Sequence, residues 1–244
     1  MSEHSSVVVI TGASQGIGLS IATHMQALGY QVIACSRHVS TELEALIQKH
    51  PNQVTHQVLD LADEASIKAC AKAIFSTTST IDVLINCAGI ASGGAFMMSS
   101  ITEMKSLFEV NYFHTLLLTQ YIVKKMMIKR HGVVLNIAST AGILGDKGTL
   151  AYGGSKAALI HATKVMAAEL GAFNIRVNAI APTVVQTAMA KQMDPQALAT
   201  LAARSSLQGD VLPDDVANLV AFLVSDQANK ISGQVIRLDK AMPF

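Results

Sequence analysis

Short runs of β-branched and other apolar residues recur along the chain, and stretches with apolar positions at helical spacing separate them. VVVIT (7–11), QVIAC (31–35), VTHQVLD (54–60), IDVLIN (81–86), GVVLNIA (132–138), IRVNAIA (175–181) and QVIRLD (234–239) read as strands. Several are apolar without alternation, as in strands buried on both faces. SIATHMQALG (20–29) and EASIKACAKAIF (64–75) carry the helical period, and longer apolar-rich helices are predicted over 101–128 and 152–171. Strands alternating with helices predict βαβ units around a parallel sheet. No internal repeat, low-complexity tract or Pro- or Ser-rich linker divides the chain, so one α/β domain over 1–244 is predicted, a doubly wound parallel sheet of about seven strands. The least regular stretch, 183–212, is predicted to form a lid over a ligand.

Composition narrows the function classes. Half of the 244 residues are apolar, yet no apolar stretch reaches the roughly 18 residues that span a bilayer. The mean hydropathy of +0.39 therefore reads as a filled interior. A net charge of +1 with scattered Lys and Arg gives no footprint for nucleic acid or an anionic membrane surface. MSEHSS at the start lacks the pattern of a secretory signal, and a cytoplasmic protein is expected. Cys35, Cys70 and Cys87 are odd in number and sit in apolar contexts, so they are expected to be buried thiols in a reducing compartment. The eight histidines form no ligand motif, and no metal site is expected.

VVVITGASQGIGLSIA sets Gly12, Gly16 and Gly18 between a buried strand and a helix. Glycines there permit a tight turn and let backbone N–H groups at the helix start meet a pyrophosphate. This makes the fold Rossmann-type. GASQG also fits the G-x-S-x-G elbow of serine hydrolases. Only 13 residues precede Ser14, no HGGG-type segment exists, and the last histidine is His161. Ser14 is therefore assigned to a cofactor phosphate, and the hydrolase remains a disfavoured alternative. An acid about 20 positions beyond the loop would hold a ribose 2′-hydroxyl and favour NAD. The second strand instead ends in CSRH, where the Ser36 hydroxyl and the Arg37 guanidinium suit a 2′-phosphate. NADP(H) is the expected cofactor.

AYGGSK (151–156) puts Tyr152 and Lys156 four apart at the start of a helical stretch, on one helix face. In chain order TGASQGIG (11–18), NCAG (86–89), VN (110–111), NIAST (136–140), YGGSK (152–156) and RVNAIAPTVVQT (176–187) resemble the short-chain dehydrogenase/reductase family over nearly the whole chain. The resemblance implies a catalytic set of Asn111, Ser139, Tyr152 and Lys156. It implies cofactor contacts from Gly12, Ser14, Gln15, Gly16, Ile17, Gly18, Ser36, Arg37, Asp60, Leu61, Asn86, Ala88, Gly89, Tyr152, Lys156, Pro182, Val185 and Thr187. A phenol near pKa 10 is a poor acid–base group at neutral pH. A fixed ammonium beside it is expected to lower that value, with Ser139 holding the substrate oxygen and Asn111 seating the lysine through a water. A homotetramer, or failing that a dimer, is implied as well.

Two departures from the family pattern bear on substrate and assembly. Pro182-Thr183 replaces the usual Pro-Gly, and LDKAMPF replaces a glycine-bearing ending. MMIKRHG and AYGGSKAAL resemble 3-oxoacyl-(acyl-carrier-protein) reductases, whose basic residues meet an acidic carrier. Lys129 and Arg130 would serve, or would simply cap a solvated helix end, and Phe173 stands where a second basic residue is expected. PTVVQTAM is similar to L-xylulose and dicarbonyl reductases. Reduction of a 3-oxoacyl thioester, carrier-bound or as a small molecule, is the leading expectation. A general carbonyl reductase is the alternative, and a non-enzymatic NADP sensor is disfavoured because the catalytic set is intact.

Overall fold

The structure is a computed structural model and describes residues 6–193 and 195–243. Its strands are β1 (Val7–Thr11), β2 (Gln31–Ser36), β3 (Val54–Val58), β4 (Val83–Asn86), β5 (Gly132–Ile137), β6 (Ile175–Pro182) and β7 (Val235–Leu238). The helices are α1 (Gly16–Ala27), α2 (Thr41–Lys49), α3 (Glu64–Thr77), α4 (Ile101–Phe108), α5 (Thr115–Lys129), α6 (Leu150–Leu170), α7 (Pro195–Ala203) and α8 (Pro213–Val224). The strands form one parallel sheet in the order β3-β2-β1-β4-β5-β6-β7. Chain direction across the sheet reverses between β1 and β4, so a crevice opens there beyond the strands' C-terminal ends.

The continuous apolar runs follow from burial on both faces. Val8, Ile10, Val32 and Ala34 point to one side and pack with Ile21, Met25, Val216, Val220 and Leu223 of α1 and α8. Their neighbours Val9, Ile33 and Cys35 point to the other, against Ile67 and Ile74 of α3 and Leu118 and Ile122 of α5. A period of two thus divides each strand between two cores.

Differences from the sequence reading are local. The edge strand β3 stops at Val58 because the chain turns there: the Asp60 carboxylate accepts the N–H of Ala62, and the Asp60 N–H donates to Ser66 Oγ. Helix α1 begins at Gly16, directly from the glycine loop. The single helix expected over 101–128 is instead α4, a π-helical turn at Glu109–His114, and α5. The wider turn redirects Asn111, whose Oδ1 accepts the Ile90 N–H at 2.8 Å while its Nδ2 donates to the Ile90 carbonyl at 2.8 Å. Within 183–212, α7 forms a nine-residue helix where no regular element was expected. Among the described residues no helix is long and apolar enough to cross a membrane.

At the N-terminal end of the central strands, Asp82 accepts the Val7 N–H at 2.8 Å and the Lys129 ammonium at 2.6 Å. Asp82 is buried, whereas the Lys129 side chain is 37% exposed. Removing Asp82 leaves a buried N–H unpaired; removing Lys129 leaves a carboxylate that still accepts one bond. Asp82→Ala is therefore expected to lower stability by about 2–3 kcal/mol, and Lys129→Ala by under about 1 kcal/mol. Urea denaturation checks the asymmetry, and equal losses would contradict it.

Candidate active site

The β1–α1 loop is built for close approach. Gly12 adopts φ +69°, and a Cβ on it would lie 2.8 Å from Ala88 Cα. A Cβ on Gly18 would lie 2.2 Å from the Gly12 carbonyl oxygen, and one on Gly16 (φ +55°) would lie 3.1 Å from Thr187 Cγ2. Gln15 precedes α1 without capping it through its side chain, and the first turn holds no acid. The helix start therefore keeps N–H groups for an anion. Thr11 Oγ1 accepts the N–H groups of both Cys87 and Ala88 at 3.0 Å, fastening the end of β4 to that of β1. These features fit the pyrophosphate of a dinucleotide.

Across the crevice the turn after β5 meets the first turns of α6. Their packing is very close: a Cβ on Gly153 would lie 2.4 Å from the Ala141 carbonyl oxygen, and one on Gly142 would lie 2.8 Å from the Ala157 nitrogen. Ser139, whose Oγ caps the short turn by accepting the Ala141 N–H, thereby comes within hydrogen-bonding reach of the Tyr152 phenol. Lys156 is buried and donates to the Ile137 carbonyl at 2.8 Å; its Nζ lies 5.9 Å from the centroid of the Tyr152 ring. Asn111 Nδ2 also donates to Ser155 Oγ, and Ser155 Oγ donates to the Tyr152 carbonyl. Ser155 was given no role from sequence. Only the π-helical turn, which brings Asn111 across to α6, reveals it.

The electrostatics correct one expectation. Burial is the largest influence on the Tyr152 phenol and pushes it up, only partly offset by the Ser139 hydrogen bond. Lys156 is itself pushed down to about 8, because its ammonium is out of water. At neutral pH Tyr152 thus keeps its proton. Burial also raises the neighbouring Cys87 thiol to about 12, which leaves it neutral.

The remaining sequence candidates divide by environment. Arg37 is exposed and has no ion-pair partner among the described residues, so it is available to an anion. Ser36 is not: it is buried, its hydroxyl donates to the His38 carbonyl at 2.8 Å, and it lies 3.0 Å from His56 Nε2. Ser40, missed from sequence, donates to the Ser14 carbonyl and caps α2, clipping the glycine loop to the next crossover. Ile17 packs into the core, while Leu61 and Pro182 are buried. Asn86 is spent on Thr119 and Asn136. Its Oδ1 is buried with no partner among the described residues. Thr183 needs no glycine, for its N–H extends the ladder to Leu238. Val185 and Thr187 lie at the base of the segment facing the loop. Lys129 and Arg130 stand at the start of β5, away from Tyr152; the first binds Asp82, and the second lies over the Phe173 ring and donates to the Ala172 carbonyl.

The sequence family described as "Enoyl-(Acyl carrier protein) reductase" matches residues 12–242. The chain belongs to the short-chain dehydrogenase/reductases. A dehydrogenase/reductase of this family is an oxidoreductase acting on CH–OH/C=O groups with a nicotinamide cofactor. The hydrolase alternative for Ser14 falls with that assignment. The chain is 34% identical over 237 residues to the 3-oxoacyl-[acyl-carrier-protein] reductase FabG of Thermotoga maritima, covering 96% of each chain. It is 32% identical over 239 residues to the reductase of the same name from Aquifex aeolicus, covering 97% of this chain and 96% of that one. The crystal structure of Levodione Reductase superposes with a TM-score of 0.90 at 29% identity, covering 96% of each chain. Among the described residues no group of three or more His, Cys, Asp or Glu could hold a metal ion.

The burial of Lys156 makes a prediction about this dehydrogenase/reductase that is independent of its substrate. Below pH 8 the folded protein holds a charged, buried lysine and the unfolded chain a solvated one, a penalty of up to about 3 kcal/mol. Between pH 8 and 10.5 the folded lysine gives up its proton first and the penalty fades. Lys156→Met is therefore expected to raise Tm at pH 7, with the gain shrinking as pH climbs through that window. Thermal melts from pH 6 to 10.5 check this; a gain that grew with pH would refute it.

Proposed function

We propose that the chain is an NADPH-dependent reductase converting a 3-oxoacyl thioester to its 3-hydroxy form. What carries the reading is the convergence of Ser139, Tyr152 and Lys156 opposite the glycine loop. The names of the relatives support the substrate class. Bound NADPH would supply the hydride. Ser139 donates to the carbonyl oxygen and orients it. Tyr152, kept protonated by burial, gives that oxygen its proton as the carbonyl carbon is reduced. Lys156 steadies the phenolate left behind and holds the nicotinamide ribose; Asn111 fixes the surrounding backbone through Ile90 and Ser155. Gly12, Gly16 and Gly18 take the pyrophosphate with Ser14 and Thr187 beside it, Asp60 meets the adenine, and Arg37 grips the 2′-phosphate. The segment 183–212 closes over the bound molecules.

A second reading, reduction of dicarbonyls, sugars or cyclic ketones, is favoured by one observation. Lys129 and Arg130, the residues suited to an acidic carrier, are engaged elsewhere, at the N-terminal end of the central strands. An NADPH-oxidation screen with acetoacetyl thioesters, diacetyl, xylulose and cyclic diketones separates the two. The first reading expects thioester turnover; its absence alongside rapid turnover of a diketone or sugar gives the second.

Two variants test the assigned roles. Tyr152→Phe is expected to lower kcat by about 10²–10⁴ while NADPH affinity, measured by fluorescence titration, stays within about twofold. Retained turnover would rule out Tyr152 as the proton donor. Arg37→Asp removes charge-assisted bonds to a 2′-phosphate and is expected to weaken NADPH about ten- to a hundredfold while sparing NADH. Equal use of NADH and NADPH by the unaltered protein would remove that role from Arg37.

A further inference from the structure

The segment between β6 and α8 begins beside the cofactor loop and reaches across to the loop ahead of Tyr152. At its base, Val185 bridges to Val211, the Gln186 N–H donates to the Val211 carbonyl at 3.0 Å, and Gln186 Nε2 donates to Asp210 at 2.6 Å. Thr187 in this base faces Gly16. The returning limb is held by the C-terminal segment, where the N–H groups of Ser206 and Leu207 donate to the Lys240 carbonyl. Between these ties lies a cavity of about 640 Å³, lined by Gly16, Thr187, Leu198 and Lys240 among others. At the end of α7, Arg204 forms an ion pair with Asp146, the only salt bridge that leaves this segment among the described residues.

Asp146 lies in the loop joining the Ser139 turn to α6. Its carbonyl accepts the Thr149 N–H at 3.2 Å and the Thr149 hydroxyl at 2.7 Å, and the Thr149 carbonyl accepts the Gly153 N–H. The same loop is tied to the β4–α4 connection by the Gly94 N–H, which donates to the Gly148 carbonyl. Arg204 therefore grips the frame of the first turn of α6, while the other end of its own segment touches the cofactor loop.

We propose that Arg204 and Asp146 are a positioning pair, a latch fastening this lid across the crevice so that cofactor and carbonyl are retained under it. The inference rests on the crevice being the active site proposed above. Arg204 touches neither reactant; its guanidinium is spent on Asp146, and its influence passes through the lid's position. The pair is partly exposed, with the Arg204 and Asp146 side chains at 33% and 22%, so its effect is modest and falls with salt.

The test compares Arg204→Ala, Asp146→Asn and the exchanged pair Arg204→Asp with Asp146→Arg. Stopped-flow fluorescence of NADPH dissociation needs no turnover. Each single variant is expected to release NADPH about fivefold faster, the worth of one such pair. Each should also show faster amide exchange over 195–212, and the exchanged pair should recover most of both losses. With acetoacetyl-CoA, KM is expected to rise more than kcat falls. Unchanged release and exchange in the single variants would overturn the latch, as would an exchanged pair that behaves like the sum of its two changes. Failure of the parent reading registers elsewhere, as turnover surviving Tyr152→Phe.

Discussion

The site depends on how near α6 can come to the end of β5. Gly142 and Gly153 remove the side chains that would keep the helix from the Ser139 turn, and backbone then meets backbone at distances a Cβ would forbid. That approach sets Ser139 against Tyr152 and carries Lys156 to the Ile137 carbonyl. The two glycines of YGGSK thus have no chemistry of their own. Gly153 sets the helix-to-turn spacing, and Gly154 faces Phe108 of α4. Close-packed interiors transmit small shifts instead of absorbing them, so the spacing of this one contact governs several functional atoms at once.

Burial decides the electrostatics once that contact is made. A phenol and an ammonium four residues apart suggest mutual charge stabilisation. In the folded chain both are taken out of water, and desolvation is the larger effect on each. The tyrosine keeps its proton and the lysine holds its own weakly, as the proposed proton-donor role of Tyr152 requires. The buried charge is a liability to folding that the rest of the sheet must offset, and the two apolar cores on its faces supply the means.

The C-terminal ending and the segment between β6 and α8 are tied together by hydrogen bonds. Lys240 and Ala241 both occupy the left-handed region, with φ +57° and +56°, where non-glycine residues are costly. Surrounding bonds hold them there: the Lys240 carbonyl receives the N–H groups of Ser206 and Leu207, and its ammonium reaches the Gly209 carbonyl. The departure from a glycine-bearing ending therefore acts within the chain, on the limb that returns from α7 to α8.

Apolar runs and their spacing determined the seven strands, the parallel sheet and the position of the glycine loop, because a strand buried on both faces must be apolar throughout and a phosphate turn must lack side chains. Tyr152 and Lys156 were legible as two positions on one helix face, whereas Ser139, in the turn after β5, was named only by the resemblance to the family. Tertiary structure alone decided what depends on neighbours distant in sequence. The π-helical turn that spends Asn111 on Ile90 and Ser155, the loss of Ser36 to His56, and the Arg204–Asp146 pair all join residues with no local pattern linking them. Lys129 and Arg130 illustrate the same limit. A basic helix end reads alike whichever edge of the sheet it faces, and only the folded topology puts it beside Asp82, at the end of the strands opposite Tyr152.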